Sequence, residues 1–169
     1  MGTRNLTKVI DRNGVVRVAQ YGQWDGYPSY SGVRILEFIT PPNMLSLIEK
    51  SLYKCRFVEQ GELDAAYAIF NESELRNEFE GFGVLFPSLS RNTGVDILKT
   101  IVYSNKDVML WNDEDFQNDG LFCEGIYTLD FQKNEFTSWF NGDKIVHSFS
   151  KLPTESEYLA QWQVLTPAQ

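Results

Sequence analysis

Leu6-Thr7-Lys8-Val9-Ile10-Asp11, then Arg12-Asn13-Gly14, then Val15-Val16-Arg17-Val18-Ala19-Gln20-Tyr21 is the stretch that decides the fold class. Both flanking runs are rich in residues that favour strands, and Asn-Gly supplies the positive-φ residues a tight hairpin demands. The chain therefore starts its ordered part as an antiparallel strand pair. A second pair is predicted far downstream, Phe122 to Asp130 and Glu135 to Phe140 around Gln132-Lys133-Asn134, with Asn141-Gly142 turning into a further strand at Lys144 to Phe149.

Between these strands the apolar period changes from two to about 3.6 residues. Ser31 is placed to cap a helix carrying Val33, Ile35, Leu36, Phe38 and Ile39, which Thr40-Pro41-Pro42 ends; Leu45, Ile48 and Leu52 mark a second helix. Helices are also predicted at Glu62 to Phe70, at Glu72 to Phe79 and from Val95 to about Tyr103. Thr154-Glu155-Ser156-Glu157 is a capping box for a last helix through Gln163. Strands, helices, strands and a terminal helix in that order imply an α+β fold, an antiparallel sheet with helices packed on it. Phe122, Glu124 and Ile126 share one face of their strand, and Cys123, Tyr127, Leu129 and Phe131 the other, so helices on both sides of the sheet are expected.

A length of 169 residues suits a single α+β domain, 1–169, and 43% apolar with 14% aromatic residues is ample for a packed core. Asp and Glu outnumber Lys and Arg by 23 to 15, giving a net charge of −8, which disfavours direct contact with nucleic acid. No apolar stretch approaches a membrane span and no charged leader precedes an apolar run, so a cytoplasmic protein without membrane contact is expected. Cys55 and Cys123 then read as free thiols.

Catalytic signatures are missing. His147 is the sole histidine, which excludes His-pair metal sites, and in Ile145-Val146-His147-Ser148-Phe149 it reads as a strand histidine bonded to a neighbour. Asp113-Glu114-Asp115 with Asp119 resembles a calcium loop only until Asn118, which stands where glycine is required, so it reads as a solvated acidic loop. Neither a metal nor a cofactor is expected.

The richest candidate site is the loop Gly22-Gln23-Trp24-Asp25-Gly26-Tyr27-Pro28-Ser29-Tyr30. Trp24, Tyr27 and Tyr30 offer stacking faces, Gln20 and Gln23 offer amides, and Asp25 accepts from amines or hydroxyls. The hairpin brings Arg4 beside the end of the second strand, to pair with Asp25 or to bind an anion; such a pair would also serve merely to pin the loop. Ser90-Arg91-Asn92-Thr93-Gly94 precedes a helix, where backbone amides and Arg91 suit an anion, or where the segment simply caps. Glu124, an acid on an apolar face, needs a cation or functions as an acid. The candidate ligand-binding set is therefore Arg4, Gln20, Gln23, Trp24, Asp25, Tyr27, Arg91 and Glu124.

Two resemblances extend this reading. The order of elements resembles that of N-terminal-nucleophile hydrolases, an αββα sandwich, which would imply attack by a residue freed at the N-terminus. Here removal of Met1 exposes Gly2, which has no nucleophile; Thr3 would need a further cleavage, and Gln23-Trp24-Asp25 carries an acid but no arginine. The words Met1-Gly2-Thr3-Arg4-Asn5-Leu6-Thr7, Tyr21-Gly22-Gln23-Trp24-Asp25-Gly26-Tyr27-Pro28, Ser90-Arg91-Asn92-Thr93-Gly94 and Leu121-Phe122-Cys123-Glu124, across residues 1–140, resemble a family of small uncharacterised phage and prophage proteins. That resemblance implies a mobile-element origin and an accessory role such as countering host defence. The leading expectation is a noncatalytic protein that binds a small ligand or a host protein with a basic surface. The alternatives are an amide or nucleotide hydrolase built on Thr3, Arg4, Asp25, Arg91 and Glu124, and a structural or assembly accessory protein.

Overall fold

The computed structural model describes residues 2–166. Its centre is a five-stranded sheet in the order β2-β1-β5-β6-β7. The strands are β1 (Asn5–Ile10), β2 (Val16–Gly22), β5 (Gly125–Asp130), β6 (Glu135–Phe140) and β7 (Asp143–Ser148); β3 (Cys55–Phe57) and β4 (Val108–Leu110) pair separately. The helices are α1 (Val33–Ile39), α2 (Met44–Ser51), α3 (Gln60–Asn71), α4 (Gly81–Leu85), α5 (Ile97–Tyr103) and α6 (Glu155–Leu165). The α+β class is as expected. The sheet is mixed rather than antiparallel, because β1 pairs antiparallel with β2 and parallel with β5. Among the described residues the second sheet that an αββα sandwich needs is not formed; the only strands outside the main sheet are the short parallel pair β3-β4.

The two hairpins nearest the termini turn by different chemistry. At Asn141-Gly142 both residues have positive φ, +46° and +97°, which matches a two-residue turn to the strand twist. At Arg12-Asn13-Gly14 only Gly14 does, at +79°. There the Asp11 carboxylate accepts the Asn13 and Val15 N–H groups at 2.9 and 3.0 Å, and the loop is longer than the predicted tight turn.

Alternation places Thr7, Val9, Val18, Gln20, Tyr127, Leu129, Phe136 and Phe140 on one face. The apolar members of that set join residues of α1, α2, α5 and α6 in one core. Tyr158 of α6 is fully buried there and donates to Ser138 at 2.8 Å, while Tyr127 donates to the Gly26 carbonyl at 2.6 Å, so both deep hydroxyls are satisfied. Thr154 accepts the Glu157 N–H at 3.2 Å, the predicted start of α6.

The other face differs from the expected helical cover. Leu6, Ala19 and Tyr21 are buried there, under the single turn Glu114–Asn118: Phe116 meets the Tyr21 ring edge-on at 4.8 Å, and Lys8 bonds Gln117 at 2.9 Å. Across β5 to β7 that face stays open enough to leave Val146 exposed. Strand β5 begins at Gly125, three residues later than predicted, because the Arg4 carbonyl takes the Glu124 and Gly125 amides as the parallel ladder starts. The predicted helix at Glu72 to Phe79 is only a turn at Glu74–Asn77. Ser31 does not cap α1: its hydroxyl donates to the Asp25 carbonyl at 2.7 Å, and a wide turn over Pro28–Gly32 leads into the helix.

A smaller cluster lies apart from the main core. Val58, Ala66 and Leu89 are its buried members, with Leu63, Phe82, Phe86 and Trp111 around them. Its helix α3 has a reciprocal cap, Glu59 with Glu62. Cys55 and Cys123 are free and buried, and burial pushes both thiols up to about 11. His147 bonds Gln161 at 2.7 Å, the structural role expected for it. Among the described residues no helix is long and apolar enough to cross a membrane.

Candidate functional site

Two distant segments are tied to β2, and the space between them is a cleft of about 720 Å³. On one side the Gln20 amide donates to the Ser90 carbonyl at 2.9 Å and the Gln23 N–H to the Arg91 carbonyl at 3.1 Å. On the other the Asp113 N–H donates to the Ala19 carbonyl at 3.0 Å. Leu63 and Tyr67 of α3 contribute to the lining from the smaller cluster.

Two guanidinium groups reach this cleft, each lying on an aromatic ring. Arg91 is 4.6 Å from the Tyr21 ring centroid and Arg4 is 4.6 Å from that of Phe122. The ion pairs among the described residues engage Arg12, Arg17, Arg34 and Arg56; Arg4 and Arg91 enter none of them. Stacking on a ring leaves the five N–H donors of a guanidinium pointing outward in plane, available to a planar or tetrahedral anion.

Asp113 completes the set. Burial pushes its carboxyl up to about 6, against the opposing pull of the Tyr21 backbone N–H and the nearby Arg91 charge. Asp119 also lines the cleft, but its Oδ1 is occupied by the Leu121 and Phe122 N–H groups at 3.2 and 3.0 Å. Trp111, Phe116 and Phe122 also line the cleft.

Of the residues singled out from sequence, Arg4, Gln23 and Arg91 come together here. Trp24 and Asp25 line a neighbouring hollow instead, with Tyr30, Phe79 and Asn92. The anticipated Arg4–Asp25 pair does not form; Asn5 pins the loop, its amide donating to the Gly22 and Trp24 carbonyls at 3.3 and 3.1 Å. Gly26 sits so close that a Cβ would come within 2.8 Å of Asn5 Cβ and of the Thr3 carbonyl, which accepts the Gly26 N–H at 2.9 Å. Trp24 and Tyr30 remain about half exposed, and Trp24 donates to Asn92 at 3.1 Å.

The other candidates hold structure. Gln20 is buried and ties β2 to Ser90. Tyr27 leans on Phe140 with ring centroids 6.3 Å apart. Glu124 is half-buried and accepts the Arg4 backbone N–H at 3.1 Å, so it meets an amide where a cation was expected. In the Ser90 to Gly94 segment the Asn92 and Thr93 amides bond back to Ser90, leaving the Arg91 side chain, not the backbone, to face an anion. Thr3 is 8% exposed with its carbonyl engaged, and Met1 lies outside the described residues. Asp113, expected from sequence to be solvated, is half-buried because it docks on the β2 edge. The flanking Trp111 and Phe116 were the local hint that this acidic stretch covers apolar surface.

The chain matches no protein-family model, no curated protein and no solved structure.

Proposed function

We propose that this is a noncatalytic binding protein that takes up a small, ring-bearing anion in the cleft between Arg4 and Arg91. The observation that carries the reading is the pair of ring-stacked guanidinium groups without carboxylate partners, facing an aromatic-lined cavity of about 720 Å³. A cavity of that size lies within the range usual for small-molecule sites. An unpaired arginine at a half-enclosed surface keeps most of its capacity to bind an anion, and the ring beneath it fixes its orientation. Burial of Thr3 weighs against the hydrolase alternative, which needs that hydroxyl accessible. Uptake of a small ligand without turnover also suits the accessory role that the phage resemblance implies.

Calorimetric titration with phenyl phosphate and with inorganic phosphate tests the reading. Phenyl phosphate is expected to bind one per chain and more tightly than inorganic phosphate. Arg4→Ala and Arg91→Ala should each weaken it about tenfold. Absence of binding by both anions overturns the proposal.

A second reading rests on the exposed rings beside the neighbouring hollow, Trp24 at 48%, Tyr30 at 45% and Phe79 at 86%. With a net charge of −8, they suit docking on a basic protein surface. Such docking weakens as salt rises; an association unchanged over a wide range of ionic strength contradicts it.

A further inference from the structure

Resting on the small-anion reading above, we infer that the cleft takes a nucleotide whose base presents two adjacent N–H donors, a guanine-type edge, with Asp113 as the acceptor. The cleft holds a conflict of charge. Arg4 and Arg91 favour an anion, yet Asp113 lines the same cavity and would repel one. A two-ended ligand satisfies both, with its anionic group at the guanidinium planes and its N–H donors at the carboxylate.

Asp113 is suited to read such donors. An ionised carboxylate only accepts, and its two oxygens offer about four lone-pair directions. The Tyr21 backbone N–H lies near enough to pull on this carboxyl, whereas one oxygen of Asp119, Oδ1, is taken by the Leu121 and Phe122 amides. Two parallel N–H donors on one planar edge match the spacing of two carboxylate oxygens. Guanine presents such an edge through its ring N1–H and exocyclic N2–H₂. Adenine and cytosine place a donor beside an acceptor, and that acceptor would face a carboxylate oxygen.

The rings of the cleft complete the match. Tyr21 and Phe116 meet edge-on at 4.8 Å, and Trp111 and Phe122 line the same space, so a flat base finds stacking partners. The cavity, about 720 Å³, exceeds what a lone phosphate needs and has room for base, sugar and phosphate together.

The test is calorimetric titration of the full chain at about pH 8, where Asp113 is ionised. The probes are guanosine, adenosine and uridine monophosphates and inorganic pyrophosphate. The expected result is guanosine monophosphate binding at least tenfold more tightly than the other two nucleotides. Asp113→Asn should remove that preference while pyrophosphate binding is kept or strengthened. Equal affinity for the three nucleotides, or an unchanged guanine preference in Asp113→Asn, overturns the base assignment and leaves the anion reading standing. Failure of pyrophosphate and of every nucleotide to bind overturns both. Asp113→Glu, which keeps the carboxylate, is expected to retain part of the preference; if it behaves as Asp113→Asn does, a thermal melt shows whether the cleft still folds, and a folded Asp113→Glu without preference also counts against the inference.

Discussion

The main core and the small cluster beside the cleft are built to different densities. Under the sheet, Tyr127, Phe136, Phe140 and Tyr158 are almost wholly buried, and four helices close over them. In the small cluster only Val58, Ala66 and Leu89 are buried, with Tyr67 and Phe82 stacked at 4.2 Å and partly open to solvent. The cleft is lined by Leu63, Leu89 and Trp111 of the small cluster and by Tyr21 and Phe116 on the face of the sheet away from the main core. The difference teaches that stability is concentrated under one face of the sheet, while the arginines that define the site stand outside it and can be altered at little cost to folding.

The strongest way to break that comparison is to empty both regions in the same manner. Phe136→Ala should lower stability by about 3–5 kcal/mol in chemical denaturation, because the surrounding sheet and α6 cannot collapse into the void. Leu89→Ala in the small cluster should fall at the low end for such changes, about 2 kcal/mol or less, since its neighbours can settle inward. Equal losses would contradict the division.

Next in size is Tyr127→Phe. It removes the hydroxyl that satisfies the Gly26 carbonyl at 2.6 Å and leaves a buried acceptor unpaired, so about 1–3 kcal/mol is expected in the same assay. The site itself sharpens the contrast through binding rather than stability. Arg4→Ala and Arg91→Ala should each reduce phenyl phosphate affinity about tenfold, roughly 1.4 kcal/mol, with melting temperature nearly unchanged. A collapse of the fold in either variant would show that these side chains belong to the stable part.

Asp113→Asn has the smallest effect and its own pH signature. Because burial raises the folded carboxyl to about 6, above its unfolded value, the folded state binds the extra proton. The native protein therefore gains stability as pH falls through 6 toward about 4 and carries the full penalty above 6. Asn carries no charge to bury, so the variant should be more stable than the native chain at pH 7 by about 1 kcal/mol, after allowance for solvent at this half-buried position. The gain should vanish below about pH 4, which stability measured across pH would reveal.

How much of this was legible in the chain depends on how local each feature is. Asn141-Gly142 and the Thr154 cap declare themselves because a two-residue turn or a helix start is decided by neighbouring residues. The β3-β4 pair does not: Cys55–Phe57 and Val108–Leu110 are three residues each and meet across a long separation with no turn between them. The same holds for β1 beside β5, whose parallel pairing brings Phe122 and Glu124 next to Arg4. Arg4, Gln23 and Arg91 could be named as ligand-binding types, but Arg4 was matched to Asp25, the acid nearest in the hairpin, when its partner is a ring more than a hundred residues on. Asp113 could not be separated from its acidic neighbours, because what lifts it out of solvent is the β2 edge.

The central claim is that the working surface is the arginine-lined cleft and not the exposed loop beside it. Backbone amide shifts recorded by NMR during titration with phenyl phosphate test it most directly. The account predicts saturable shifts at Tyr21, Gln23, Arg91, Asp113 and Phe122. Shifts gathered instead at Trp24, Tyr30 and Phe79, with the cleft amides unmoved, would contradict it.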